Sequence, residues 1–223
     1  MVSHSIFNSK ILVKNTLLPL GKIVCVGRNY AEHAAELNNP VPEQPLLFIK
    51  PATSAVAMHE FLHLPQGVGD VHYETEIALL IGQPLSKATA IEALAGVVGV
   101  GLALDLTLRD LQTKLKQQGH PWERAKAWDG ACPLSDFVAA EQVTDWPALE
   151  LSLSINGVEK QRGKACQMLT PIAELLSHIS QTFTLLPGDV VITGTPAGVG
   201  KLAAGDRLQL ELTDLLKVTT QVV

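Results

Sequence analysis

Apolar residues along this chain come mostly in short runs that are rich in valine, isoleucine and leucine and are bounded by glycine, proline or asparagine. Such runs are typical of β-strands. They predict strands at residues 22–27, 46–51, 61–64, 72–81, 96–104, 149–155, 158–161, 190–193, 206–212 and 217–222. Helical spacing is confined to residues 31–37, 88–94, 107–118 and 170–181. Because strands outnumber helices and the two do not alternate regularly, the sequence predicts a mainly β (α+β) fold with short peripheral helices.

Local residue preferences predict one hairpin and several helix ends. Asn156-Gly157 stands between two apolar runs, which is a strong signal for an antiparallel hairpin. Asn29 followed by Glu32 matches the capping box at the start of a helix. Residues 107–110 carry a second cap signature, and Gly119 with the proline two residues later predicts the end of that helix.

The strand predicted at 72–81 carries two glutamates in a setting that does not suit them. Glu74 and Glu76 are two residues apart, so on an extended backbone both carboxylates point to the same face. The apolar run that follows indicates a buried strand, and burying an unpaired carboxylate costs several kcal/mol. A cation with oxygen ligands is the simplest compensation, and it would need a third carboxylate. The alternative is an exposed strand face on which both glutamates are solvated.

A second candidate site lies in the helix predicted at 31–37, where His33 and Glu36 share one face. The carboxylate can orient the imidazole and raise its basicity, which suits a general base at neutral pH. The alternative is a salt bridge on the surface of a short helix. Residues 38–45 contain three prolines and are predicted to form an irregular loop that acts as a hinge or lid.

Two further segments are candidates for the wall of a site. Residues 122–129 combine two tryptophans with Lys126 and Asp129 in a pattern that no simple helical period explains, which predicts an irregular wall. The glycine-rich loop 194–200 is not followed by a helix, which excludes the phosphate-binding loop and the dinucleotide fingerprint. Its exposed amides could bind a carboxylate instead.

The composition is that of an ordinary globular protein. The 223 residues are 47% hydrophobic and 17% charged, which is ample for one domain with a buried core. A net charge of −5 with scattered basic residues argues against nucleic acid or an anionic membrane as a partner, so a small molecule is expected. The three cysteines, Cys25, Cys132 and Cys166, have no metal-ligand spacing and are predicted to be reduced core residues.

Neither a membrane span nor a secretory signal is predicted. The longest apolar run, 93–104, contains three glycines. It is shorter than the roughly 18 residues that a spanning helix needs. Residues 1–6 have neither the basic start nor the apolar centre of a secretory signal. We therefore expect a cytoplasmic protein.

Several short motifs follow one another along nearly the whole chain. They are Gly27-Arg28-Asn29-Tyr30 with His33 and Glu36, Lys50-Pro51, Tyr73-Glu74-Thr75-Glu76, Asp105 with Arg109-Asp110, Lys126 with Asp129, and the run from Thr193 to Gly200. In this order and spacing, from about Lys22 to Leu212, the sequence resembles the fumarylacetoacetate hydrolase superfamily. The short chain, without an added amino-terminal domain, is similar to the acylpyruvase and oxaloacetate decarboxylase branch.

The resemblance implies a fold and a set of site residues. The fold would be a mixed β-sandwich roll, with one catalytic domain over residues 1–223, an N-terminal segment at 1–20 and a core at about 21–223, assembled as a homodimer. The implied ligands of one Mg²⁺ or Mn²⁺ ion are Glu74, Glu76 and Asp105. The implied catalytic residues are His33, Glu36 and Lys126. The implied substrate-binding residues are Arg28, Asn29, Tyr30, Lys50, Arg109, Gln112, Gly194 and Thr195.

The activity implied by the resemblance is hydrolysis of 3-acylpyruvates such as acetylpyruvate or fumarylpyruvate. His33, held by Glu36, would activate water, and the metal with Lys126 would stabilise the pyruvate enolate that leaves with a carboxylic acid. The same site could decarboxylate oxaloacetate. One alternative is an isomerase or decarboxylase of the 2-hydroxyhepta-2,4-diene-1,7-dioate type from aromatic catabolism. Another is a metal-stabilised binding module without turnover.

Overall fold

The computed structural model describes residues 10–13, 16–37 and 39–223. The strands of this part of the chain are β1 Lys10–Val13, β2 Thr16–Pro19, β3 Ile23–Gly27, β4 Leu46–Lys50, β5 Ala55–Ala57, β6 Val71–Tyr73, β7 Thr75–Ile81, β8 Val97–Leu104, β9 Thr107–Leu108, β10 Cys132–Leu134, β11 Val138–Ala139, β12 Glu150–Ile155, β13 Val158–Lys164, β14 Val190–Ile192, β15 Gly200–Lys201, β16 Arg207–Leu212 and β17 Leu216–Gln221. The helices are α1 Ala31–Glu36, α2 Ala90–Ala95, α3 Arg109–Gln118, α4 Glu123–Lys126 and α5 Ile172–Thr182. The prediction of a mainly β fold with short helices is confirmed.

The largest sheet is mixed and has the strand order β4-β3-β14-β7-β8-β10-β5, with β11 also paired to β8. Strand β14 runs parallel to β3 and antiparallel to β7, so strands from the two ends of the chain meet at the centre of the sheet. A second, antiparallel sheet has the order β13-β12-β16-β17. A small third sheet, β15-β6-β9, lies beside the point where β6 leads into β7.

Strand β7 is buried along its whole length. Ile77, Leu79 and Ile81 join the larger apolar core, whereas Ala78 and Leu80 join a second, smaller one. A strand that is covered on both faces has apolar residues at consecutive positions, which explains the unbroken run that the sequence shows here.

The hairpin predicted at Asn156-Gly157 is confirmed. Strands β12 and β13 pair antiparallel across it, and the two turn residues have φ values of +53° and +79°. Two successive left-handed residues are what the tight hairpin turn requires, and Asn-Gly tolerates them best. The pairing contains an irregularity after Leu153, so that Leu153 lies opposite Gln161.

Several predicted elements are wrong in detail. The strand predicted at 72–81 is broken at Glu74, because β6 belongs to the small sheet and β7 to the large one. The segment predicted as a strand at 61–64 forms a single bridge, from Leu62 to Val222. The wall predicted to be irregular contains the short helix α4.

Both predicted helix caps are wrong. Helix α1 is preceded by Tyr30, whose side chain makes no capping bond, and the Asn29 amide instead bonds the backbone of residues 170 and 193. Helix α3 begins at Arg109 without a side-chain cap, because Thr107 and Leu108 pair with β6 as a short strand. In both places, the residues that the local pattern assigned to the helix cap instead form hydrogen bonds with distant parts of the chain.

The remaining sequence predictions have mixed outcomes. Residues 39–45 have no regular structure, as predicted, and Asn38 lies outside the described residues. Much of the predicted N-terminal segment 1–20 also lies outside them, and the division of the chain into that segment and a core stays a prediction. Cys25 and Cys132 are buried free thiols, but Cys166 is exposed, so its assignment to the core is wrong. Within the described ranges, none of the helices is long and apolar enough to cross a membrane.

Candidate active site

Three carboxylates meet where β6, β7 and β8 adjoin. Glu74 occupies the break between β6 and β7, Glu76 is the second residue of β7, and Asp105 directly follows β8. Because Thr75 pairs with Leu104, the next residue, Asp105, comes beside Glu74, and its backbone N–H donates to the Glu74 carbonyl at 2.8 Å. One oxygen from each carboxylate lies within 4.8 Å of the others.

The solvated-strand alternative for the two glutamates is wrong. The exposed fractions are 5% for Glu74, 1% for Glu76 and 1% for Asp105. Three buried carboxylates repel one another strongly unless cations compensate them. Cationic side chains or a bound cation must therefore lie next to the three carboxylates.

Three basic side chains reach two of the three carboxylates. The Lys126 ammonium lies 2.8 Å from Glu74 Oε2 and 2.6 Å from Asp105 Oδ2. The Arg109 guanidinium lies 2.5 Å from Glu74 Oε1, and Lys50 Nζ lies 2.8 Å from Asp105 Oδ1. Burial alone would raise the pKa of Glu74, but Lys126 and Arg109 hold it well below its usual value. Burial likewise opposes the charge on Lys126, but Asp105 and Glu74 raise its pKa, so the ammonium stays protonated.

Glu76 is the carboxylate without an ion-pair partner among the described residues. It accepts a hydrogen bond from the Gly194 backbone N–H at 2.6 Å. Burial, followed by repulsion from Asp105 and Glu74, raises the pKa of Glu76 well above its usual value. Three oxygen donors with one uncompensated carboxylate fit a hard divalent cation.

His33 faces the same cavity from helix α1. Its side chain is buried, with Nδ1 3.5 Å from Glu36 Oε2, so the alternative of a solvent-exposed surface pair does not apply to the imidazole. Burial lowers the pKa of His33 below its ordinary value of 6.5, although Glu74 and Glu36 oppose the shift. The imidazole is therefore neutral at pH 7. Glu36 also accepts from the Gly198 N–H at 3.1 Å, which connects α1 to the glycine-rich loop.

The glycine-rich loop reaches the triad through its backbone and one hydroxyl. Gly194 has a φ of +91°, a conformation that favours glycine, and this turns its N–H toward Glu76. The Thr195 hydroxyl donates to the Thr75 carbonyl at 2.8 Å, and Thr195 also lines the cavity. The loop is thus fixed to the strand segment that carries the two glutamates.

The cavity collects many, but not all, of the predicted site residues. Those that line it are Arg28, His33, Glu74, Glu76, Asp105, Arg109, Gln112, Lys126 and Thr195. Asn29, Tyr30, Glu36, Lys50 and Gly194 are not part of this lining. Lys50 is fully buried, and its ammonium is shared among Asp105 and the backbone carbonyls of Lys126 and Ala131.

Three residues of this region were missed by sequence reasoning. Gln161 is buried on β13, where most neighbours are exposed, and its amide contacts the backbone of Thr75 and the hydroxyl of Thr195. Phe48 and Lys116 line the cavity. The Phe48 ring lies 5.4 Å from the Lys126 ammonium, a cation–π contact. Lys116 stands four residues after Gln112, so a helical-wheel plot of the predicted helix would have placed both on the same face.

Comparison with known proteins agrees with this geometry. The sequence profile described as "Fumarylacetoacetate (FAA) hydrolase C-terminal" matches residues 22–223. The chain is 48% identical over 206 residues to the oxaloacetate tautomerase YcgM of Escherichia coli, covering 92% of this chain and 94% of that protein. It is 42% identical over 195 residues to the mitochondrial oxaloacetate tautomerase fahd-1 of Caenorhabditis elegans, covering 87% and 91% of the two chains.

A solved structure extends the comparison to the fold and the metal. It is the fumarylpyruvate hydrolase of Pseudomonas aeruginosa in complex with Mn²⁺ and pyruvate, which has a TM-score of 0.90 and 36% identity to this chain, covering 96% of this chain and 94% of that one. The predicted mixed β-sandwich roll is thereby confirmed. With a profile match over nearly the whole sequence, relatives above 40% identity and a buried acidic triad, the chain belongs to the fumarylacetoacetate hydrolase family.

Proposed function

We propose that this protein is a metal-dependent enzyme that interconverts the enol and keto forms of oxaloacetate. The observation that carries the proposal is a buried histidine, His33, that lines the same cavity as three carboxylates and a lysine. The names of the two relatives above favour tautomerisation over the acylpyruvate hydrolysis that the sequence alone led us to expect first.

We assign Mg²⁺ or Mn²⁺ to Glu74, Glu76 and Asp105, where the cation would place positive charge beside a substrate oxygen that becomes negative. The support is chemical, because the set offers only oxygen donors and includes one carboxylate, Glu76, without a cationic partner. The Mn²⁺ bound in the P. aeruginosa structure is consistent with this choice.

His33 is the proposed base. Tautomerisation of a 2-oxo acid removes a proton from carbon 3 and returns one to the 2-oxo oxygen, and the reverse reaction moves both protons back. A neutral imidazole can accept the first proton, and the Glu36 carboxylate near Nδ1 leaves Nε2 free to face the substrate. The lysine cannot take this role, because its paired carboxylates keep it protonated.

Lys126, Arg109 and Thr195 are proposed to bind and stabilise the reacting end of the substrate. Lys126 carries a positive charge at the triad, which lowers the cost of charge that develops on the 2-oxo oxygen. Arg109 is oriented by Gln112, whose Oε1 accepts from it at 2.8 Å. Thr195 also lines the cavity, and because its hydroxyl proton is donated to the Thr75 carbonyl, it contributes a neutral contact to the substrate.

Hydrolysis of 3-acylpyruvates is the second candidate, and the similarity to a fumarylpyruvate hydrolase favours it. In this reaction His33 would take a proton from water, the resulting hydroxide would attack the distal carbonyl, and the carbon–carbon bond would break to give pyruvate and a carboxylic acid. The two reactions need the same triad and base. They differ in whether water reaches the substrate.

The decisive assay supplies the Mg²⁺- or Mn²⁺-loaded protein with enol-oxaloacetate, acetylpyruvate and fumarylpyruvate in parallel. We expect the protein to accelerate the decay of the enol-oxaloacetate absorbance more than it accelerates the turnover of either acylpyruvate. This acceleration should disappear when the metal is chelated. His33→Ala should abolish the acceleration, whereas His120→Ala, a change at an exposed histidine, should not. Faster turnover of either acylpyruvate would favour hydrolysis, and no turnover of any substrate would favour the binding-module alternative.

The homodimer and the cytoplasmic location stay proposals. Sedimentation of the purified protein would test the first, and fractionation of its native cells would test the second.

A further inference from the structure

One face of helix α3 forms a row that leads away from the acidic triad. Arg109, Gln112 and Lys116 stand at positions i, i+3 and i+7 and all line the cavity. Arg109 is the member that contacts the triad, through Glu74. Lys116 comes about 10 Å further along the helix axis, at roughly 1.5 Å per residue. Side chains on a helix lean toward its N-terminus, so the Lys116 stem leans back toward Gln112.

The outer end of this row carries positive charge without a matching negative one. Lys116 donates to the Asn39 side-chain oxygen at 2.9 Å, and Arg28 donates to the Pro40 carbonyl at 3.4 Å. Both acceptors are neutral. In the described part of the chain neither Lys116 nor Arg28 forms an ion pair with a carboxylate, whereas Arg109 is paired with Glu74. Two cations that share a cavity without a counter-ion repel each other, and an anion between them removes that cost.

Two further observations agree with this picture. The pKa of Lys116 is lowered by partial burial and then by repulsion from Arg28 and Arg109, which is the response of a cation that lacks a partner. Arg28 has a φ of +61°, a left-handed conformation that is uncommon for arginine. Backbone strain of this kind is concentrated at binding sites.

We propose that Lys116, together with Arg28, binds the second carboxylate of a dicarboxylate substrate and thereby selects 2-oxo dicarboxylates over 2-oxo monocarboxylates. This inference rests on the proposed function, which places the 2-oxo acid end of the substrate at the triad. The far end then extends along α3 toward Lys116. Gln112 stands between Arg109 and Lys116 on this face of α3, where it accepts a hydrogen bond from Arg109.

The first test compares oxaloacetate with its 4-methyl ester, which keeps the carbon skeleton but neutralises the second carboxylate. The wild-type protein should show a higher kcat/KM for the diacid. Lys116→Met removes the charge and should reduce the preference about tenfold, the effect of one charge-assisted hydrogen bond. Lys116→Arg should restore most of it. Lys114→Met, two residues away on the exposed side of α3, is the matched control and should leave the preference unchanged.

A second variant distinguishes the effect of the Lys116 charge from the effect of its hydrogen bond to Asn39. Asn39→Ala removes the neutral acceptor of Lys116 but keeps the ammonium. It should retain the diacid preference if the charge matters. Loss of the preference in Asn39→Ala to the same degree as in Lys116→Met would overturn the proposal, because Lys116 would then act by holding the loop.

A binding measurement makes the inference independent of turnover. Calorimetry on the Mg²⁺-loaded protein would compare malate with lactate, which differ by the second carboxylate. Tighter binding of malate in the wild type, reduced about tenfold in Lys116→Met, is the expected result. Equal affinities for malate and lactate in the wild type would overturn the inference. Malate selectivity without any turnover of oxaloacetate would instead contradict the proposed function and leave the carboxylate site standing.

Discussion

The Gln161 side-chain oxygen accepts a hydrogen bond from the Thr75 backbone N–H, 3.0 Å away. Thr75 is the residue between Glu74 and Glu76, and its carbonyl accepts from the Thr195 hydroxyl on the other side. Gln161 also donates to that hydroxyl at 2.8 Å. The peptide group before Thr75 is therefore held by a strand of the second sheet, and the peptide group after it by the glycine-rich loop.

We predict that Gln161→Leu weakens metal binding. The change leaves the buried Thr75 N–H without an acceptor, at a cost of about 1–3 kcal/mol, and frees the backbone that aims Glu74 and Glu76. Loss of a residue that orients metal ligands typically lowers affinity about 10- to 100-fold. Calorimetric titration with Mn²⁺ would measure the affinity, and denaturant unfolding the stability. Gln118→Leu, at an exposed position of α3, is the control. Lower stability with unchanged Mn²⁺ affinity would contradict the positioning role.

We predict that His33→Ala separates the reactions that need a base from the one that does not. Tautomerisation and acylpyruvate hydrolysis should fall by roughly 10²- to 10⁴-fold, the usual contribution of a general base. Decarboxylation of oxaloacetate should fall much less, because loss of carbon dioxide needs neither a base nor an attacking water. Mn²⁺ affinity should be retained. Equal losses in all three reactions, in both His33→Ala and Glu36→Gln, would show that the pair only closes the site or positions substrate.

The pH dependence should report the environment of His33. Burial lowers its pKa below 6.5, so the neutral, basic form persists to more acidic pH than it would in a free imidazole. Activity should therefore be constant near neutrality and should fall only as the pH drops below 6.5, through the lowered pKa. Profiles of kcat/KM at saturating Mg²⁺ would locate this limb. A limb centred at or above 6.5 would contradict the assignment of His33 as the base.

The three thiols should differ in reactivity. Burial raises the pKa of Cys132 to about 12 and that of Cys25 well above its usual value, so neither forms a reactive thiolate near neutral pH. Cys166 is exposed. Titration with a thiol reagent should detect one thiol in the native protein and three after unfolding. Cys166→Ser should remove the native signal. Two or three fast-reacting thiols in the folded protein would contradict the described burial.

Several features of the site could be predicted from the sequence because they depend on near neighbours. Glu74 and Glu76 share a site because side chains two residues apart on an extended chain point to the same face. The apolar run after them correctly predicted that this strand is buried. Asn156-Gly157 specified its hairpin because these residues accept left-handed backbone angles. His33 and Glu36 are neighbours because one helical turn brings positions i and i+3 together. Each of these relationships spans only a few residues.

Other features were decided by the tertiary structure alone. The break at Glu74 arises because the two halves of one apolar stretch join different sheets. A simple count back from the hairpin turn would place Lys160 opposite Leu153, but the irregularity in the β12–β13 pairing places Gln161 there instead and turns it toward Thr75. Lys50, predicted to bind substrate, lies behind Asp105 because β4 ends beside α4. Strand register, bulges and the approach of distant elements depend on packing across the whole chain, so no local pattern in the sequence could determine them.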